Sequence, residues 1–256
     1  MTDERNPNPN PAPDAQTERP PWLADPYARS GKARLLGLAE SSGLLAEGAI
    51  FYPAGGGQPG DSGWLEWEGG RLAIADTRKA EGGAVMLVPA DEGAGALPAP
   101  GAVLRLELDW PRRHGHMRVH TALHLLSVVL PFPVTGGQIG AQKGRLDFDM
   151  EDAPGDKAAL EAALNELVAR DLPVSEDWIS DEELAANPGL VKTMSVKPPT
   201  GQGRVRLVRI GHGEAQVDLQ PCGGTHVART GEIGPLSLGK IEKKGRRNRR
   251  VTLHLA

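Results

Sequence analysis

The segment "AVLRLELDWPRRHGHMRVHTALHLL", residues 102–126, changes character halfway along. Its first part reads as a short strand; beyond "DWPRR" at 109–113, apolar side chains recur at helical spacing to about residue 130. A strand-rich half therefore gives way to a helix-bearing half, and a domain boundary falls at 108/109. Towards the N-terminus lie "GLLAEGAIFYP", "GWLEWEGG", "RLAIADTRK" and "GAVMLVPA", short apolar stretches punctuated by glycine. Strands at this spacing indicate a small β-barrel or β-sandwich over residues 21–108. Residues 1–20, "MTDERNPNPNPAPDAQTERP", are proline, asparagine and charge with almost nothing apolar, and are expected to form a disordered tail.

Towards the C-terminus, "KAALEAALNELVAR" at 157–170 is an amphipathic helix of strong helix formers. A short helix at 180–187 opens with Ser180 and Glu183 spaced as a capping box. "RVRLVRIG", "AQVDLQ" and "VTLHLA" then read as strands. The expected fold class is α+β, with a glycine-rich β-barrel-like domain over 21–108 followed by an α+β domain over 109–256. No internal repeat is present.

A chain of 256 residues accommodates two modest domains. A single cysteine excludes an intramolecular disulfide framework, and no stretch near the N-terminus reads as a secretory signal, so a cytoplasmic protein is expected. The longest apolar run, in "VHTALHLLSVVLPF", is interrupted by histidine and proline and falls short of a membrane span. The net charge of −4 argues against a polyanionic partner until its distribution is considered. Seven of the eleven residues in "KIEKKGRRNRR", 240–250, are basic, and five basic residues with no acidic one fall between Lys192 and Arg209. Such clusters suit phosphates, although a solvated edge strand has the same composition.

The lone Cys222 lies in "PCGGTHV", four residues before His226. His120 and His124, one helical turn apart in "HTALH", project from one helix face and can converge on a single ion. Three imidazoles and one thiolate form a nitrogen-and-sulfur set suited to zinc. Gly223 and Gly224 are expected to let the backbone turn tightly and to admit a close approach. His116, a further turn back, is expected at the surface or behind a ligand. "HTALH" shares its histidine spacing with the zinc-peptidase pattern HExxH, but Thr121 stands where that pattern has its glutamate base.

"HTALHLL" at 120–126, "QPCGGTHVARTGEIG" at 220–234 and "FYPAGGGQPGDSG" at 51–63 resemble the editing region of alanyl-tRNA synthetases and the freestanding alanyl-tRNA editing proteins, over roughly residues 45–256. The chain is too short for a synthetase and resembles the longer freestanding form. The resemblance implies hydrolysis of serine, and in some members glycine, wrongly esterified to the alanine tRNA, with the acceptor arm of tRNA(Ala) as partner. It implies that His120, His124, Cys222 and His226 are zinc ligands. Gln138 in "TGGQIG" matches a pocket glutamine, with Gln142 as a competing match, and Thr135 matches a threonine that reads the serine hydroxyl. Thr135 and Gln138 are thus the candidate catalytic and substrate-binding side chains, and Gly55, Gly56 and Gly57 match a glycine-rich substrate-binding loop. Asp218 is the nearest carboxylate in sequence, as a strand residue or a partner to a ligand. Two other functions share these residues: a non-catalytic RNA-binding protein with a structural zinc site, and a zinc hydrolase of small esters.

Overall fold

The structure, a computed structural model, describes residues 19–39, 43–91, 97–194 and 203–256. The tail expected over 1–20 lies outside these residues, apart from Arg19 and Pro20. A single-turn helix α1 (Pro21–Ala24) leads into strands β1 (Ser30–Leu38), β2 (Leu44–Glu47), β3 (Gly63–Trp67), β4 (Gly70–Lys79), β5 (Val85–Pro89) and β6 (Val103–Leu108). These close into an antiparallel barrel in the order β1-β2-β5-β4-β3-β6, with β6 returning to β1. Closure rather than a two-sheet sandwich suits strands this short, because it leaves no unpaired edge. Along β6 the leucines 104, 106 and 108 point inward and Val103, Arg105 and Glu107 outward. Leu35, Leu44, Leu65 and Leu87 from other strands join them in an aliphatic core.

The second domain starts at helix α2 (Trp110–Val129), three residues earlier than the apolar spacing suggests. The carboxylate of Asp109 accepts from the Arg112 backbone N–H, and Pro111 occupies the first turn, where its missing N–H costs nothing. Strands β7 (Val134–Ile139) and β8 (Lys143–Asp149), helix α3 (Lys157–Ala169), β9 (Val174–Ser180), α4 (Asp181–Ala186), β10 (Arg204–Ile210), β11 (Asp218–Pro221), β12 (Leu236–Lys243) and β13 (Asn248–Leu255) complete it. The capping box expected at Ser180 and Glu183 is present at the start of α4. The strand expected over 215–220 is shorter, since Gly213–Ala215 forms a 3-10 turn and pairing begins only at Asp218.

Helix α2 and helix α3 cover the antiparallel sheet β12-β13-β8-β7, burying Met117, Leu125, Leu126, Phe148, Val251 and Leu253. The sheet β11-β10-β9 carries the cysteine at its end, since Cys222 directly follows β11. Among the described residues no helix is long and apolar enough to cross a membrane.

Two features lock the barrel to α2. Arg113 and Asp61, both essentially fully buried, form an ion pair in which the guanidinium Nε stands 3.1 and 2.9 Å from the two carboxylate oxygens. The same guanidinium donates to the carbonyls of Pro26 (3.0 Å) and Ile50 (2.8 Å). The second is the turn at Gly56 and Gly57, with φ of 58° and 84°, closed by paired hydrogen bonds between Gly55 and Gln58. Both central residues need positive φ, as in a type I′ hairpin turn. The Gly57 carbonyl then accepts from the Ile139 N–H of β7 at 2.9 Å, so the barrel's turn is stitched to the second domain.

Candidate metal centre and its cavity

Helix α2 presents His120 and His124 on one face, with ring centroids 5.4 Å apart. The loop after β11 brings Cys222 and His226 against them, so that Sγ lies 3.4 Å from His120 Nε2 and 3.2 Å from His226 Nε2. One potential ligand atom from each of the four residues lies within 4.8 Å of all the others. The four residues that the sequence brings forward as ligands therefore converge on one point.

Their hydrogen bonds fix which ring nitrogen faces that point. Gln58 Oε1 accepts from the Thr225 backbone N–H (3.1 Å) and is thus an acceptor towards His120 Nδ1, 3.0 Å away. Thr121 Oγ1 gives its one proton to the Met117 carbonyl (2.9 Å) and so accepts from His226 Nδ1 at 3.1 Å. Asp218 Oδ2 accepts from His124 Nδ1 at 2.9 Å. Each of the three imidazoles has a proton on Nδ1 engaged outside the centre, which leaves Nε2 as the atom turned inward, free to ligate once it carries no proton, the arrangement in which an outside partner orients each metal-binding histidine. Thr121, at the position of a peptidase's base, is a fully buried hydroxyl that holds His226.

Three supports are not evident in the sequence. Gln58, 2% exposed, reaches His120 from the barrel, so the centre is completed by both domains. Arg206, buried in β10, donates to the carbonyls of Cys222 (2.8 Å) and Gly224 (2.9 Å) and pairs with Glu176 (2.8 Å), holding the cysteine loop down. Asp218 is itself held by Lys192 on Oδ1 and by Gln220 on Oδ2 at 2.7 Å. The glycines act differently from expectation: neither Gly223 nor Gly224 has positive φ, so no special turn is made there. Gly224 is instead a close-approach position, since a Cβ on it would overlap the His120 ring and stand 2.8 Å from Gln58 Oε1. His116 is buried rather than exposed and belongs to none of the four ligand positions; burial, then Arg112 and Arg113, push it down to about 4.

The electrostatics match a set of ligands. Burial pushes the Cys222 thiol up, but His120 and His226 beside it outweigh that and hold it well below its usual range. Burial, reinforced by His120, holds His226 well below the usual imidazole range. His124 moves the other way: burial lowers it, and the hydrogen bond to Asp218 more than compensates, raising it to about 9. Asp218, despite burial, is drawn down to about 2, chiefly by His124. The cluster therefore offers a thiolate and imidazoles of fixed tautomer, a donor set that could hold a metal ion.

A pH dependence follows for the metal-free protein. The lowered Asp218 contributes stability above its unfolded pKa of 3.8 and loses it as pH falls through about 2. The raised His124 contributes stability below 6.5 and loses it as pH rises through about 9, whereas the lowered Cys222 thiol favours the folded state increasingly over the same range, because the unfolded chain still holds the proton that the folded thiolate has lost. The two oppose each other, so thermal unfolding of chelated wild-type protein should show a nearly level midpoint from neutral pH to pH 9, and chelated Cys222→Ala, which keeps only the His124 contribution, a falling one. Parallel profiles for the two proteins would contradict the assignment.

The centre opens into a cavity of about 550 Å³, with His120, His124 and Cys222 on its wall and His226 behind them. Gly55, Gly56 and Gly57 line it from the barrel, and Gly136, Gly137 and Gln138 from β7. Gln142 does not line it. Thr135 does not either, its hydroxyl donating to the Asp147 carbonyl (3.0 Å) and accepting from Asn248 (3.1 Å). Among the described residues no Asp or Glu side chain lines this cavity.

Three residues of the basic run at 192–209 are paired within the fold. Lys192 pairs with Asp218, Arg206 with Glu176 and Arg209 with Asp177, and Arg204 sits over the Trp178 ring; Lys197 lies outside the described residues. In the run at 240–250, Arg250 pairs with Asp147, Arg247 with Asp149 and Lys244 with Glu242, while the buried Arg249 donates to backbone carbonyls. Lys240, Lys243 and Arg246 have no ion-pair partner among the described residues.

Comparison with known proteins places these features in context. The family model described as threonyl and alanyl tRNA synthetase second additional domain matches residues 205–252. The alanyl-tRNA editing protein AlaX-M of Methanosarcina acetivorans is 31% identical over 238 residues, 90% of this chain and 96% of that protein. AlaX-M of Methanosarcina barkeri is 31% identical over 237 residues, with the same coverage of each chain. The alanine–tRNA ligase of Caldivirga maquilingensis is 34% identical over 230 residues, 87% of this chain. The match spans only a quarter of that ligase's length.

Proposed function

The chain belongs to the family of freestanding alanyl-tRNA editing proteins, and from that premise we propose that it is a cytoplasmic zinc-dependent deacylase acting in trans on mischarged tRNA(Ala), removing serine and, secondarily, glycine. The observation that carries the reading is the His120, His124, Cys222 and His226 cluster at the wall of a cavity built by both domains. Bound there, zinc would supply positive charge that orients the substrate's amino group or polarises its ester carbonyl.

The protein's own groups account for the rest. Gln58, Thr121 and Asp218 keep three imidazoles in one tautomer, so the ligand geometry is set before substrate arrives. With no Asp or Glu side chain on the wall among the described residues, proton transfer to the leaving ribose oxygen falls to the neighbouring ribose hydroxyl or to water. The Gly55–Gly57 turn and the Gly136–Gly137 stretch present backbone without side chains, which lets an esterified ribose lie close to the main chain. Gln138 is the candidate reader of the serine hydroxyl. Arg145 donates to its Oε1 at 3.2 Å, which fixes the amide and leaves its Nε2 donors for a ligand. Alanine would leave such a donor unpaired, the kind of loss that discriminates strongly. Thr135 is assigned an indirect part, holding β7 in place through Asp147 and Asn248.

Gln138→Ala should therefore lower kcat/KM for seryl-tRNA(Ala) by about tenfold or more, and Thr135→Val by less, with zinc content unchanged in both. The reverse order would return the hydroxyl-reading role to Thr135. Four protein ligands also suit a structural zinc in a protein that only binds RNA. Serine release from seryl-tRNA(Ala) before and after chelation decides between them: loss with the fold intact and recovery on adding zinc support the deacylase, and absence of release with RNA still bound supports the binding protein.

A further inference from the structure

The cavity is larger than a three-carbon amino acid requires and lies within the range of sites that enclose drug-sized ligands. Besides the candidate metal ligands its lining includes Pro20, Trp22, Tyr52, Gly55 and Lys79, all from the barrel and its leading segment. Two lysines line the cavity, and they differ. Lys192 is neutralised by Asp218. Lys79, at the end of β4, is exposed and has no carboxylate partner among the described residues.

A glycine of the barrel's turn leaves room for it. Gly55 lacks the positive φ of Gly56 and Gly57, so backbone conformation does not explain that glycine. A Cβ on Gly55 would stand 3.2 Å from Lys79 Cε and 3.4 Å from Nζ, and 3.6 Å from the Tyr52 hydroxyl. The end of the lysine stem thus lies beside Gly55, with its ammonium group at the cavity. Trp22 is half-buried, packs one side against the barrel core, and has no aromatic partner among the described residues.

Resting on the proposed deacylase activity, we propose that this barrel-side part of the cavity is a subsite for the nucleotide that carries the ester: Lys79 binds its 5′-phosphate and Trp22 stacks on its base. A point charge on a flexible stem suits a phosphate, and an aromatic face suits a base in a single-stranded end irrespective of sequence. The barrel domain then grips the end of the RNA while the second domain holds the ester bond.

The test compares 3′-O-seryl-adenosine with and without a 5′-phosphate, alongside full seryl-tRNA(Ala), on wild-type protein, Lys79→Met, Gly55→Ala, Trp22→Leu and Trp22→Phe. Wild-type protein should prefer the phosphorylated small substrate by about tenfold in kcat/KM, the worth of one charge-assisted contact. Lys79→Met should erase that preference, raise KM for seryl-tRNA(Ala) with kcat and zinc content unchanged, and lower the slope of log KM on log salt by about 0.7. Gly55→Ala should move in the same direction by displacing the lysine. Trp22→Leu should weaken both small substrates by about tenfold, with Trp22→Phe restoring them. A preference for the phosphate that survives Lys79→Met, or equal losses on both small substrates, overturns the Lys79 assignment; normal KM values in Trp22→Leu overturn the stacking assignment. If wild-type protein releases no serine even from seryl-tRNA(Ala), the failure lies with the deacylase reading on which the subsite rests.

Discussion

Arg113→Leu should cost the folded protein about 3–5 kcal/mol, the usual consequence of removing one partner of a buried, hydrogen-bonded ion pair. The guanidinium is fully buried and satisfies Asp61, Pro26 and Ile50 at once. Without it the Asp61 carboxylate, raised by burial in spite of Arg113, keeps the backbone N–H of Tyr52 as a partner and only the weaker attraction of Arg112 as an opposing charge. The loss extends to function because Asp61 lies three residues beyond Gln58, which orients His120. Chemical denaturation should show the drop, and metal affinity should fall with it. Replacing Asp61 by leucine as well should recover part of the stability, since an apolar pair removes the stranded charge. A loss below about 1 kcal/mol for Arg113→Leu would show that the ion pair is not what joins the barrel to α2.

Cys222→Ala should lose bound zinc and reduce serine release from seryl-tRNA(Ala) by about a thousandfold or more, the several kcal/mol that a catalytic ion contributes to a transition state. The protein should remain folded. Its two aliphatic clusters, one inside the barrel and one between α2, α3 and the four-stranded sheet, do not include the cysteine. Metal analysis, circular dichroism and the release rate read the three consequences separately. An unfolded Cys222→Ala protein would make the centre structural, and a folded, metal-free and fully active one would remove zinc from the chemistry.

The four proposed metal ligands were legible because their spacing is local: four residues apart on a helix, and four apart in a glycine loop. The barrel strands were legible for a similar reason, each being a short apolar run ended by glycine or proline. Strand β7 was not, since Gly136 and Gly137 interrupt the alternation that would announce it. Gln58 carries no periodic signal, and its contact with His120 across 62 positions exists only once the barrel closes against α2. The pairing within the basic runs was hidden for a related reason. Charges can be counted in one segment, but Asp147, Asp149, Glu176 and Asp177, which neutralise them, come from strands elsewhere in the chain. In β10 the alternation of arginine with apolar residues suggests a solvated face, yet Arg206 is only 6% exposed, because the cysteine loop and Glu176 cover it.

Initial rates of amino-acid release from seryl-tRNA and alanyl-tRNA, both prepared on tRNA(Ala) and presented to the zinc-loaded wild-type protein, test the account most directly. The cavity and its Gln138 amide predict fast release of serine and little release of alanine. Equal release of both would contradict a site that proofreads by reading a hydroxyl group, and release of neither would contradict the deacylase itself.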